Sequence, residues 1–130
     1  MGSGAHAHRV LLVDDNDDLL DPASYILQRH GFVVATGRGG EDALRQLRGG
    51  FRPCVVVLDL RMPGLDGWGV WDRMRADPAL ATIAVVLMSG DGDNLARARA
   101  LGIRDFLLKP LNFDALIAAI ERHCGQSRQT

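Results

Sequence analysis

Five short apolar segments, separated by stretches with helical periodicity, constrain the fold of this 130-residue chain more than any other feature. Most are rich in Val, Leu or Ile and scarcely alternate with polar residues, which is typical of strands covered on both faces. The predicted strands are Val10–Val13, Phe32–Ala35, Cys54–Leu58, Ile83–Met88 and Phe106–Leu108. Fivefold alternation of strand and helix predicts right-handed βαβ crossovers, and therefore an α/β fold with a doubly wound parallel sheet.

Apolar residues recur at helical spacing in the segments that follow the strands. The periodic segments are Leu19–Leu27, Ala43–Leu47, Val70–Met74, Leu95–Leu101 and Phe113–Cys124. Three glycines directly follow such segments, where a left-handed helix cap is expected: Gly31, Gly49 and Gly102. Asn112 is placed to cap the last helix. Pro22 interrupts the first helical pattern, and it would be tolerated in a first turn if that helix begins near Asp18 or Leu19.

Composition limits the classes of protein to which the chain can belong. It is 47% hydrophobic and 24% charged, as in soluble globular proteins, and has no apolar stretch near the roughly 18 residues of a membrane span. The net charge of −1 provides no basic field for phosphate backbones. We therefore expect one domain that neither spans a membrane nor binds nucleic acid directly.

The cysteines and the chain ends give further expectations. Cys54 and Cys124 are far apart in sequence and outside any zinc-ligand spacing, so we expect no disulfide, no zinc site and a reducing, cytoplasmic location. Residues 1–8 lack the apolar core of a signal peptide and are expected to be a disordered start or a cloning remnant. The domain is then expected over 9–124, with 125–130 as a tail or linker stub.

Polar residues follow the carboxyl ends of the predicted strands, where open parallel sheets bind their ligands. In strand order these residues are Asp14 and Asp15, Asp59, Ser89, and Lys109. Each alone has a structural explanation: a polar turn with a helix cap, a strand-end charge, or a common hydroxyl. Lys109 is the only lysine of the chain, and lysine supplies a compact point charge that arginine does not.

Taken together, the polar residues indicate a metal site. Carboxylates repel one another by about 4 kcal/mol per pair near 4 Å at an effective dielectric constant of about 20. An all-oxygen ligand set without His or Cys favours Mg²⁺, whose two charges, with that of Lys109, would balance Asp14, Asp15 and Asp59. A cation and a hydroxyl facing a carboxylate are also the groups that phosphoryl transfer needs.

Four motifs in combination resemble the receiver domain of two-component response regulators, the CheY-like phosphoacceptor domain. They are Val-Asp-Asp at 13–15, Leu-Asp-Leu-Arg-Met-Pro-Gly-Leu-Asp-Gly at 58–67, Met-Ser-Gly at 88–90 and Phe-Leu-Leu-Lys-Pro at 106–110. The resemblance extends from Arg9 to about His123. It implies a flavodoxin-like sheet of five strands in the order 2-1-3-4-5 with five helices, which brings the first strand beside the third.

The resemblance also implies a role for each site residue. Asp59 would be the phosphoacceptor that attacks a phosphohistidine of a histidine kinase or histidine phosphotransfer protein. Asp14, Asp15 and Asp59 would hold Mg²⁺ together with the backbone carbonyl of Arg61, and Lys109 would bind a phosphoryl oxygen. The protein would then be a signalling domain rather than an enzyme, acting on a downstream effector or output domain, with a phosphorylation-dependent homodimer as one option.

The resemblance further implies a conformational switch. Ser89 would turn towards the new phosphoryl oxygens, Phe106 would rotate into the vacated space, and the face of the fourth and fifth helices and last strand would change. A cis peptide bond is expected between Lys109 and Pro110. The short, alanine-containing apolar stripe of the fourth helix is expected to pack weakly enough to move.

Several alternatives remain at the level of sequence. A flavin-binding module is disfavoured because Asp14 and Asp15 would repel the flavin phosphate, and a haloacid-dehalogenase-like phosphatase because Arg61 stands where it needs a second aspartate. A receiver-like docking module that signals without phosphorylation stays open. An Arg61–Asp91 ion pair could cover the acyl phosphate and lengthen its life; the alternative is that both residues are solvated surface charges.

Overall fold

The predicted alternation of strands and helices is the architecture of the protein, seen in a computed structural model that describes residues 8–124. The strands are β1 (Arg9–Val13), β2 (Val33–Gly37), β3 (Val55–Asp59), β4 (Ala84–Ser89) and β5 (Asp105–Leu108). The helices are α1 (Asp17–Arg29), α2 (Gly40–Arg48), α3 (Gly67–Ala76), α4 (Asn94–Ala100) and α5 (Phe113–Cys124). The expectations for residues 1–7 and 125–130 lie outside the described residues.

The strands form one parallel sheet in the order β2-β1-β3-β4-β5, which confirms the flavodoxin-like prediction. Val13 of β1 is in register with Leu58 of β3, so the residues that follow them, Asp14 and Asp59, lie side by side at the carboxyl end of the sheet. The strand order, rather than sequence proximity, therefore brings the acidic residues together.

Both faces of the sheet are covered, as the nearly continuous apolar strands predict. Alternate β1 residues point to opposite layers: Val10 and Leu12 pack with α1 and α5, whereas Leu11 and Val13 pack with α2 and α3. Every residue of β3 is buried. No helix in the described part of the chain combines the length and the apolar character needed to cross a membrane.

The helix ends confirm three of the four predicted caps. The side chain of Asn112 accepts a hydrogen bond from the Ala115 backbone N–H at 3.0 Å, and Gly31 and Gly102 have φ of 91° and 84°. Gly49 is not left-handed, with φ of −77°; Gly50, at φ 111°, takes that conformation. The prediction for Gly49 was wrong because two successive glycines follow α2 and the chain turns at the second one.

The expected position of Pro22 was also wrong, because α1 begins at Asp17 and Pro22 lies inside the helix, beyond its first turn. The side chain of Asn16 caps this earlier start by accepting a hydrogen bond from the Asp18 N–H at 2.9 Å. The missing proline N–H would have paired with the carbonyl of Asp18, an exposed residue whose carbonyl water can satisfy.

The two cysteines correct a further expectation, because Cys54 and Cys124 form a disulfide with their Cα atoms 5.4 Å apart. The fold brings them together: α5 packs on the layer that contains Val55 and Val57, so its last residue lies beside the start of β3. The sequence separation of 70 residues concealed this contact.

Candidate functional site

The predicted acidic cluster exists at the carboxyl end of the sheet. Asp14, Asp15 and Asp59 each offer a carboxylate oxygen, and these atoms lie within 4.8 Å of one another. Asp14 and Asp15 follow β1, and Asp59 is the last residue of the neighbouring β3. The cluster therefore results directly from the parallel pairing of these two strands.

Lys109 lies next to this cluster although it comes from the far side of β4. Its Nζ is 2.7 Å from Asp14 Oδ2, to which it donates a hydrogen bond, and 3.2 Å from Asp59 Oδ2. Its backbone N–H donates to the Ser89 carbonyl at 2.9 Å, and the bond to Pro110 is cis as predicted. The structure thus brings together four of the predicted side chains.

Burial changes the pKa values of charged groups at this site. Asp14 is fully buried and Asp59 is 3% exposed, whereas Asp15 is exposed. Burial, and then the charge of Asp14, raise the pKa of Asp59 despite the opposing effect of Lys109. For Lys109, burial would lower the pKa, but the hydrogen bond to Asp14 and the charges of both aspartates outweigh it and raise the pKa. Lys109 contacts two of the three clustered carboxylates, and the cavity as a whole is lined by more acidic than basic side chains, which leaves an excess of negative charge.

The donor atoms of this cluster fit a hard divalent cation. All three clustered ligands are carboxylates, the ligands that Mg²⁺ prefers, and none is the sulfur or imidazole that zinc favours. The cluster borders an open cavity of about 680 Å³ that is also lined by Arg61, Gly90 and Asp91. This cavity provides room for a cation, its waters and a phosphoryl group.

Ser89 lies nearby, but its hydroxyl makes its hydrogen bonds to residues outside the acidic cluster. The residue is buried and is not part of the cavity wall, although the following Gly90 is. The hydroxyl interacts instead with the backbone of Asp91 and the side chain of Asn94. Sequence reasoning missed Asn94, for which the only signal was an amide residue five positions after Ser89 at the predicted start of a helix.

Arg61 and Asp91 both line the cavity but form no ion pair within 4 Å in the described part of the chain. The carboxylate of Asp91 instead accepts a hydrogen bond from the Asp93 N–H at 2.9 Å. The backbone N–H of Arg61 donates to Asp59 Oδ1 at 3.4 Å. The ion pair predicted to cover the acyl phosphate is therefore not formed in this structure, where a local turn engages Asp91 Oδ1; its effect on the lifetime of the acyl phosphate stays a prediction.

Comparison with protein families assigns the chain. A family model described as response regulator receiver domain matches residues 10–121. The chain belongs to this receiver domain family. The match includes every residue of the predicted site and confirms the resemblance seen in the motifs.

Individual relatives agree with this assignment. The receiver domain is 35% identical over 121 residues to the transcriptional regulatory protein PrrA of Mycobacterium tuberculosis, covering 93% of this chain and 52% of that protein. It is 36% identical over 118 residues to the transcriptional regulatory protein FixJ of Bradyrhizobium diazoefficiens, covering 91% and 57%. The chain thus spans about half the length of these relatives.

Solved structures show the same architecture. A response regulator receiver protein from Pseudomonas putida superposes with a TM-score of 0.82 at 28% identity, covering 89% of this chain and 97% of that one. The chemotaxis protein CheY4 of Vibrio cholerae gives a TM-score of 0.81 over 90% and 98% of the two chains. At 24% identity, the second match supports the fold alone.

Proposed function

We propose that this receiver domain accepts a phosphoryl group on Asp59 in a Mg²⁺-dependent reaction. The donor would be a phosphohistidine of a histidine kinase or histidine phosphotransfer protein. The observation that carries the proposal is the convergence of Asp14, Asp15 and Asp59 with Lys109 on one cavity. A nucleophilic carboxylate, a cation site and a lysine for the phosphoryl oxygens are all the groups that the transfer requires.

In the proposed reaction, a carboxylate oxygen of Asp59 attacks the phosphorus of the phosphohistidine. The new O–P bond forms as the P–N bond breaks, and its electron pair returns to the imidazole of the donor. Lys109, whose Nζ is 3.2 Å from Asp59 Oδ2, holds the charge of the transferred oxygens. Mg²⁺, held by Asp14, Asp15, Asp59 and the Arg61 carbonyl, would supply further neutralisation of those oxygens.

The signal would leave the domain through the surface formed by α4, β5 and α5. Ala98 is the only buried residue of α4, which has seven residues, so few packing contacts oppose its movement. On β5, Leu108 is 56% exposed. We propose that this surface contacts an effector or output domain, or a second phosphorylated copy.

Incubation with Mg²⁺ and a small phosphodonor such as acetyl phosphate tests the proposal. We expect intact-mass analysis to show one added phosphoryl group, which is absent from Asp59→Asn and from samples with excess chelator. Asp91→Asn is the matched control, because Asp91 lines the same cavity outside the acidic cluster, and it should be labelled like the wild type.

Labelling that persists in Asp59→Asn would place the acceptor elsewhere. A wild type that takes no label, with donor and Mg²⁺ in excess, would overturn phosphorylation and favour the docking module.

A further inference from the structure

The Ser89 hydroxyl is held by a set of hydrogen bonds that involve no residue of the acidic cluster. It donates to the Asp91 carbonyl at 3.2 Å and accepts from the Asp91 N–H at 3.0 Å. It also accepts from the side-chain amide Nδ2 of Asn94 at 3.1 Å. A hydroxyl has one donor and two acceptor sites, so these bonds use its full capacity.

This arrangement opposes the movement of Ser89 towards the phosphoryl oxygens that the receiver-domain resemblance implies. The hydroxyl has to leave these partners before it can donate to a phosphoryl oxygen on Asp59. Asp91 provides only backbone groups, which any residue at that position would provide. The amide of Asn94 is therefore the one contact to the hydroxyl that depends on the identity of a side chain outside Ser89.

We propose that Asn94 is a positioning residue that holds Ser89 in the unphosphorylated orientation and connects its release to α4. Asn94 is the first residue of α4, the helix with only one buried residue, so the bond joins the end of β4 to a weakly packed helix. The Arg97 guanidinium of the same helix lies 4.2 Å from the Trp68 ring, which adds one contact to α3. The inference rests on the proposed function and adds to it a residue that determines the orientation of Ser89 in the unphosphorylated domain.

Binding of beryllofluoride at saturating Mg²⁺, followed by ¹⁹F NMR of the bound fluoride, measures the effect without using a probe on α4. Loss of one hydrogen bond that opposes the active orientation should tighten binding about fivefold in Asn94→Ala. Asn94→Leu retains side-chain volume without the amide, so the same tightening is expected there. Asp93→Ala is the control, because the Asp93 side chain makes no capping bond at the same helix end, and it should bind like the wild type.

A double-mutant cycle with Ser89→Ala separates this role from a general effect on α4. Without the hydroxyl, Asn94→Ala should no longer change beryllofluoride affinity. Equal tightening with and without the hydroxyl would overturn the inference, as would wild-type affinity in both Asn94 variants. In those cases the wild type still binds the probe and the proposed function stands. A wild type that binds no beryllofluoride contradicts the proposed function, and the inference fails with it.

Discussion

The two ends of the central sheet treat buried charge in opposite ways. At the carboxyl end, three carboxylates cluster beside an open cavity, and the lysine there contacts only two of them, Asp14 and Asp59. At the amino end, the single buried carboxylate of Asp105 is paired with Arg122 and His123 from the last turn of α5. A disulfide joins the same end of α5 to the residue before β3.

The difference distinguishes a structural end from a functional end. Asp105 is hydrogen-bonded by the Arg122 guanidinium and the His123 ring, and these partners satisfy it without any ligand. The acidic cluster has fewer positive charges than negative ones, so a bound cation would bring it closer to balance. Unbalanced charge at one end, and balanced charge with a covalent crosslink at the other, therefore locate the binding site on physical grounds.

The largest expected effect comes from removing the disulfide at the amino end of the sheet. Replacing both Cys54 and Cys124 by serine should lower the free energy of unfolding by about 4 kcal/mol, because a long loop is no longer closed in the unfolded chain. Urea denaturation of the oxidised wild type and the variant measures this loss, and adding a reductant should lower the wild type to the level of the variant.

Affinity for Mg²⁺, measured by calorimetry, is the matched control and should be equal in both forms. Two free thiols in the folded, oxidised wild type would contradict the disulfide. A change in Mg²⁺ affinity would show that the two ends of the sheet are coupled.

The second prediction changes the negative excess at the carboxyl end in both directions. Without added metal, Lys109→Met should lower the free energy of unfolding by about 2 kcal/mol, because it leaves buried carboxylates without their cation. Asp59→Asn should raise it, because the raised pKa of Asp59 means that folding disfavours its ionised form at neutral pH. Urea denaturation with and without Mg²⁺ checks both, and Mg²⁺ should stabilise the wild type more than Asp59→Asn.

Arg38→Met is the control, because its ion pair with Asp17 is exposed and should contribute under about 1 kcal/mol. Destabilisation by Asp59→Asn in metal-free buffer would contradict the charge imbalance.

The sequence predicted the carboxyl end better than the amino end, for a physical reason. The polar residues of the site follow apolar strands directly, so parallel strand order alone places Asp14, Asp15 and Asp59 together. The pairing of Cys54 with Cys124 depends on how α5 lies across the sheet, which periodicity does not specify.

Side-chain orientation could not be predicted from the sequence either. Nothing in the order of residues shows that the Ser89 hydroxyl turns to Asn94, or that the Asp91 carboxylate engages the Asp93 N–H instead of Arg61. The left-handed glycine after α2 is Gly50, one position from the predicted Gly49, because either of two adjacent glycines can adopt that conformation.

The smallest expected effect is a pH dependence of opposite sign at the two ends. At Asp105, burial would raise the pKa, but hydrogen bonds and charges from Arg122 and His123 outweigh it and lower the pKa. This pairing therefore contributes stability above the usual aspartate pKa of about 4, and the contribution is lost as pH falls through the lowered value. The raised pKa of Asp59 acts oppositely, so as pH falls Asp59 is protonated, and its energetic cost relieved, before Asp105 is protonated.

Urea denaturation of wild type and Asp105→Asn, from pH 7 down to below the lowered pKa of Asp105, tests how much this pairing contributes to stability. The variant should be less stable by about 1 kcal/mol at pH 7, because it loses charge-assisted hydrogen bonds to partly exposed partners. The difference should close below the lowered pKa, where the wild-type carboxyl is also neutral. Asp17→Asn, whose ion pair is exposed, should show a smaller difference at every pH. A difference in the free energy of unfolding between wild type and Asp105→Asn that stays constant at acidic pH would mean that Asp105 stabilises this end by its shape rather than by its charge.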